Sequence, residues 1–199
     1  MLKKHFFANI KSYSVIPEKF LEPSPAIFDF IKGNNISGRL GIGRYGEDRK
    51  IYQSPLYTSN GEARSVHLGL DLFVPAGTPI FAPLDAIIHS FQDNNHFLDY
   101  GPTIILEHNT RGKKFCTLYG HLGRSSLEKI KVGQKIEAGE EIAIVGKTHE
   151  NGHWPPHLHF QIITDLLGWN GDFPGVARPS EKEYYLKLCP DPDLLLKIL

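Results

Sequence analysis

A chain of 199 residues with 22 acidic and 22 basic side chains has no formal net charge, which removes the electrostatic case for nucleic acid or an anionic membrane as partner. An apolar fraction of 41% and a charged fraction of 22% are globular values, and the length suits one domain with a sound core. No apolar run approaches the roughly 18 residues of a membrane-spanning helix, and Cys116 and Cys189 offer no disulfide framework.

At the N-terminus, Lys3 and Lys4 precede an apolar stretch that breaks at Asn9 and Lys11. That is shorter than the ~7–15-residue core of a secretory signal. The expected setting is cytoplasmic, with non-Sec export as the other route. Residues 1–62 read as an extension packing on the core. Aromatics are scattered through its first half (Phe6, Phe7, Tyr13, Phe20, Phe28, Phe30) among Pro17, Pro23 and Pro25, with a short helical or strand piece over Ile27–Ile31. Gly41-Ile42-Gly43-Arg44-Tyr45-Gly46 matches the dinucleotide pattern GxGxxG. That pattern has meaning only between a strand and a helix of a βαβ unit. Here Glu47-Asp48-Arg49-Lys50 and Pro55 follow, so it reads as a glycine-rich turn, and Arg44 and Arg49 as solvated surface arginines.

From Val66 the pattern turns to strands. His67–Val74 alternates and stops at Pro75-Ala76-Gly77-Thr78-Pro79; Ala86–Phe91 follows, then a polar loop from Gln92 to His96. Thr103–His108 and Lys114–Tyr119 form a hairpin across Asn109–Gly112. A helical turn is expected at Ser125–Ile130, short strands around Ile136 and Ile142–Val145, and short helices at Ser180–Leu186 and Asp193–Leu199, the last with an N-cap in Asp191-Pro192-Asp193. Short strands punctuated by Gly and Pro predict an all-β, antiparallel sheet or sandwich over 63–165, with 166–199 a C-terminal extension of the same domain. Cys116, within a strand, reads as a small buried residue.

Ten histidines need sorting. His5 lies in the extension, and His89, His96, His108, His149 and His153 lack a partner at a telling spacing. His157 and His159 stand at i and i+2 of a strand, side by side on one face with Cα atoms roughly 6.5–7 Å apart. His67 and Asp71 share a face but lie roughly 13 Å apart in an extended strand, so both reach one ion only if the chain bends. Gly69, midway, permits a bulge or a positive φ there. With His159 they make two imidazoles and a carboxylate, leaving a fourth place for water as catalytic zinc requires. No His-Glu-x-x-His helix supplies a glutamate base. His121, after a strand and a glycine, and His157 are the imidazoles available to move protons.

His67-x-x-x-Asp71, Tyr119-Gly120-His121-Leu122 and His157-x-His159 together resemble the zinc metallopeptidases of the M23 family, the lysostaphin-type endopeptidases, over about Ser65 to Ile163. The resemblance implies an antiparallel β core with an open groove. It implies one Zn²⁺ per chain on His67, Asp71 and His159, with His121 and His157 catalytic. The implied reaction is hydrolysis of an amide by activated water, with the base not assigned between the two histidines and activity falling below about pH 6. Members of the family typically cut glycyl or D-amino-acid cross-links in bacterial walls. This sequence shows no evident wall-binding module, so the expected substrates are wall-type or small peptides, with the oligomeric state open. Trp169 and Phe173, within Leu166–Gly175, either line the groove or plug the core edge. Three readings compete. One is a non-catalytic module of the same fold. Another is a IIA-type histidine phosphocarrier, which needs paired imidazoles but no carboxylate such as Asp71. The third is a lipoyl-type hairpin at Gly133–Gly146, whose candidate Lys147 lies past the tip.

Overall fold

In the computed structural model, residues 6–7, 10–21, 26–27, 40–49, 51–52, 57–59 and 61–199 are described. Their strands are, in chain order, β1 (Ala26–Ile27), β2 (Gly41–Gly43), β3 (Thr58–Ser59), β4 (Glu62–Ala63), β5 (Val66–His67), β6 (Leu70–Phe73) and β7 (Pro79–Phe81), followed by β8 (Ala86–Asn94), β9 (Gly101–Thr110), β10 (Lys113–Gly120), β11 (Lys135–Ile136), β12 (Glu141–Ile144), β13 (Leu158–Ile163) and β14 (Val176–Ala177). One sheet takes the order β1-β2-β6-β13-β10-β9-β8-β11, with β1 parallel to β2 and every other pair antiparallel. The expected all-β antiparallel architecture is the one observed.

Strand alternation sorts side chains to two faces, and both are covered. Ile104, Leu106, Phe160 and Ile162 point into a core that also takes Phe7, Ile10, Val15 and Ile16 from the N-terminal segment and Leu195 from the C-terminal one. Ile105, Leu118 and Ile163 point the other way, into a second core with Leu68, Tyr100, Phe173, Leu188 and Cys189. Double coverage explains why β13 is buried at all six positions rather than at alternate ones. Cys116 is buried, as expected, and burial raises its thiol pKa to about 12.

Three elements differ from the expectations. The run from His67 to Val74 is two strands, broken at Leu68–Gly69. β8 continues through Gln92–Asn94 because these residues pair with Thr103–Gly101, and the Asn94 amide donates to Thr103 Oγ1 and to Gly171 O at 3.1 and 3.0 Å. The β9–β10 turn is tighter than four residues: Arg111 (φ 52°) and Gly112 (φ 72°) both take positive φ, the type I′ signature. A 3₁₀ turn at Arg124–Leu127 and helices α1 (Lys182–Leu188) and α2 (Asp193–Leu196) stand close to where they were expected. The N-cap of α2 is Pro192, and Asp191 Oδ1 accepts the Asp193 N–H at 3.0 Å from one position earlier. Of the piece expected over Ile27–Ile31, Ile27 belongs to β1; Phe28, Phe30 and Ile31, with Pro23, Pro25, Lys50 and Pro55, lie outside the described residues. No helix among the described residues is long and apolar enough to cross a membrane.

One histidine without a sequence signal is built into the fold. His108 is fully buried, donates Nδ1–H to Asp85 O at 3.0 Å, accepts from Thr117 Oγ1 at 2.7 Å through Nε2, and stacks on Phe115. Burial lowers its pKa to about 4, below the 6.5 of a free imidazole. The native state therefore binds fewer protons than the unfolded state between these values. The stability this supplies is complete above pH 6.5 and lost as pH falls toward 4, by about 3 kcal/mol in all. Urea unfolding of His108→Gln is expected to lose correspondingly less stability than wild type between pH 7 and 4.5; parallel pH curves would refute this.

Candidate active site

β5, β6 and β13 bring His67, Asp71 and His159 together. Asp71 is paired across the sheet with His159, and the break at Leu68–Gly69 folds His67 back over both. His67 Nε2 lies 3.1 Å from His159 Nδ1 and 3.1 Å from Asp71 Oδ1, and His159 Nδ1 lies 3.0 Å from the same oxygen. The protons point away from this triangle. His67 Nδ1 faces the Arg44 carbonyl at 2.9 Å, which can only accept, so Nε2 carries a lone pair. His159 Nε2 donates to Gln161 Oε1 at 2.9 Å, an amide oriented by its own donation to Pro174 O at 3.2 Å, so Nδ1 carries a lone pair. Two imidazole lone pairs and a carboxylate oxygen thus converge in a buried spot, an arrangement a cation relieves. Tetrahedral zinc ligands at about 2.0–2.2 Å stand roughly 3.3–3.6 Å from one another, within a few tenths of an ångström of this triangle. Among the described residues these three form the one His/Cys/Asp/Glu group able to hold a metal ion.

Gly69 serves the site in a way its flexibility did not foretell. It is not among the positive-φ residues. A Cβ there would lie 2.5 Å from His159 Cε1 and Nε2 and 2.8 Å from the Phe160 carbonyl. Gly69→Ala is accordingly expected to displace the His159 ring and weaken any binding of a metal ion by this triangle at least tenfold, at about 1–3 kcal/mol in stability. Competition with a chromophoric chelator measures this, and wild-type affinity would refute it.

His121 and His157 stand beside the triangle. Their ring centroids are 4.1 Å apart, and His157 also stacks on Phe73 at 4.7 Å. His121 follows β10 in the left-handed region (φ 64°), held by Nδ1–H donation to Asn151 O at 3.0 Å. His157 Nδ1–H donates to Pro155 O at 2.6 Å. Each ring therefore keeps an Nε2 lone pair, and His157 Nε2 is 3.9 Å from Asp71 Oδ1, outside the triangle. Burial lowers the pKa of both, and for His121 the neighbouring His157 and His159 add to the shift. Both stay neutral to lower pH than a free imidazole.

Arg49 is a correction. Read as a surface arginine, it is buried, with Nη1 2.6 Å from Asp71 Oδ2 and 3.1 Å from Tyr52 Oη, and Nε 3.0 Å from Glu47 Oε2. Burial opposes the charge on both partners, but the Arg49 guanidinium holds the Asp71 carboxyl well below the usual carboxylate range. Arg44 does remain largely exposed and pairs with Glu47. Gln161 was also missed. Its signal was available, since it stands at i+2 from His159 and so shares that side chain's face of the strand.

The profile of peptidase family M23 matches residues 65–171, more than half of the chain. The chain belongs to peptidase family M23. It is 32% identical over 130 residues to an uncharacterized metalloprotease of Haemophilus influenzae, covering 61% of this chain and 25% of that protein. It is 29% identical over 97 residues to the peptidoglycan DD-endopeptidase ShyA of Vibrio cholerae, covering 49% and 20%. The chain thus spans about a quarter or less of these relatives' length. The catalytic domain of lysostaphin, an antimicrobial peptidase of Staphylococcus simulans, shares the fold at a TM-score of 0.53 and 25% identity, covering 78% of this chain and 91% of that one.

The M23 site opens into a cavity of about 290 Å³. Tyr52, Tyr57, Tyr100 and Trp154 line it, and both residues in question from the C-terminal loop, Trp169 and Phe173, reach it. Phe173 does double duty, being fully buried in the second core as well. The triangle and the His121–His157 pair share this one aromatic-walled space.

Proposed function

We propose that this M23 domain is a zinc-dependent amide hydrolase, an endopeptidase holding one Zn²⁺ on His67 Nε2, Asp71 Oδ1 and His159 Nδ1. The observation that carries the reading is the convergence of three proton-free donor atoms, each within 3.1 Å of the next, beside two imidazoles with free Nε2 lone pairs. Zinc, when bound, supplies Lewis acidity toward the scissile carbonyl and lowers the pKa of water. The chain supplies the rest. One of His121 and His157 accepts the water proton at Nε2 and, as the imidazolium, returns that same proton to the leaving nitrogen, directly or through the Nε2 lone pair of the neighbouring ring. The Nδ1–H bonds to Asn151 O and Pro155 O keep both rings aimed throughout. The relatives named as peptidoglycan endopeptidases favour a wall-type peptide as substrate, and the aromatic walls suit packing against such a backbone.

A phosphocarrier role is disfavoured by Asp71, whose Oδ1 lies 3.0–3.1 Å from two ring nitrogens and would repel a phosphoryl group there. The test is metal content of the purified protein, then hydrolysis of wall fragments and of short glycyl and D-amino-acid peptides, with and without a chelator. One zinc per chain and chelator-sensitive cleavage are expected. A protein that takes up no zinc on reconstitution, or that cleaves equally well with the chelator, would overturn the proposal.

A further inference from the structure

The stretch that mimics a nucleotide-binding loop has another use. Residues 43–49 precede the span matched by the family profile, yet they lie directly against the metal-ligand strands. Gly46 N–H donates to His67 O at 2.8 Å, His67 N–H to Glu47 O at 2.9 Å, and Arg49 N–H to Ser65 O at 2.8 Å. Gly43 pairs with Asp71 across β2 and β6. From this segment the Arg44 carbonyl sets the His67 tautomer, and the Arg49 guanidinium engages Asp71 Oδ2.

We infer that Arg49 is a positioning residue of the zinc centre, which holds Asp71 Oδ2 so that Oδ1 alone faces the two histidines. This rests on the zinc reading above and extends it to a residue outside the span matched by the family profile. Three features make the guanidinium a fixed strut. Its face toward Asp71 is matched by Tyr52 Oη on the same Nη1 and by Glu47 Oε2 on Nε. Its other nitrogen, Nη2, lies 3.4 Å from the Arg44 carbonyl. Gly43 leaves the room it needs, since a Cβ there would lie 2.6 Å from Nη2 and 3.0 Å from Asp71 Oδ2. The planar fork reaches several partners in set directions, which a lysine ammonium does not reproduce. Glu47 offsets the guanidinium charge, so the arginine can order the ligand while adding little net positive charge beside the cation.

The test measures metal binding rather than turnover. Zinc dissociation constants and Co²⁺ d–d absorption spectra are compared for wild type, Arg49→Gln and Arg49→Lys, with thermal melts as the check on folding. Outer-shell partners of metal ligands are worth about 10–100-fold in affinity. Arg49→Gln is expected to weaken zinc by that factor and to alter the cobalt spectrum, because Asp71 gains freedom to turn or to offer both oxygens. Arg49→Lys is expected to stay weaker than wild type. Affinity in Arg49→Gln equal to or tighter than wild type overturns the inference, since a pure charge effect would strengthen cation binding on losing the arginine. Wild-type affinity in Arg49→Lys overturns it equally, because charge alone would then suffice. If Arg49→Gln does not fold, the lysine variant decides. A wild-type protein that binds neither metal overturns the zinc reading and this inference together, whereas metal binding indifferent to residue 49 overturns this inference alone.

Discussion

Asp71→Ala is expected to purify without zinc and with hydrolysis at background. The substitution removes the one anionic donor of the triangle, leaving two imidazoles, and it also strips the Arg49 guanidinium of its buried partner at 2.6 Å. Removing one member of a buried pair leaves an uncompensated charge and costs about 3–5 kcal/mol, so the variant's melting temperature falls as well. Asp71→Asn separates the two effects. It keeps the shape and an oxygen for Arg49, so it is expected to melt closer to wild type while still losing most zinc affinity, because a neutral amide oxygen is a poor ligand for this ion. Metal analysis alongside melting curves checks both. Stoichiometric zinc in the alanine variant would remove Asp71 from the centre.

His157→Ala and His121→Ala are expected to retain one zinc each and to lose turnover by about 10²–10⁴-fold, the usual worth of positioned acid–base groups. His157 Nε2 stands 3.9 Å from Asp71 Oδ1 and outside the triangle, and His121 meets the site through its contact with His157. Neither donates a lone pair to the point where the other three converge. The two rings pack against each other at 4.1 Å and act on one proton inventory. The double variant is therefore expected to be little worse than either single one, as for residues that act as a unit. Metal content with single-turnover kinetics on all three proteins is the measurement. A metal-free His157→Ala would show the division between ligands and acid–base groups to be misdrawn.

Much of this was legible along the chain because strand periodicity is local. Runs of apolar, β-branched and aromatic residues bounded by turn residues mark the strands at Ala86–Phe91, Thr103–His108 and Lys114–Tyr119, and the period of two puts His157 and His159 on one face however the sheet is assembled. The His67–Asp71 spacing with Gly69 between them foretold a bend. The spacing could not say that the glycine is needed for the closeness of the His159 ring, 92 residues from His67. Faces were harder. β13 alternates in sequence, with Leu158, Phe160 and Ile162 against His159 and Gln161, as a strand with one wet face would, yet both of its faces are buried, so the second core that the C-terminal segment helps to build left little local trace.

What the sequence by itself determined is the identity and local pairing of the reactive groups: His67 with Asp71 across a flexible residue, His157 with His159 on one strand face, and His121 at the end of a hairpin strand. These follow from bond geometry within a few residues. What only the tertiary structure decided is the surroundings: Arg49 on Asp71, Gln161 anchored by Pro174 behind His159, the Asn151 carbonyl behind His121, and Trp169 and Phe173 on the cavity wall. Most of these contacts join segments tens of residues apart. A glycine-rich turn or a lone arginine reads alike in solvent or against a ligand, because what distinguishes the two is the sheet order that places β2 beside β6 and β6 beside β13.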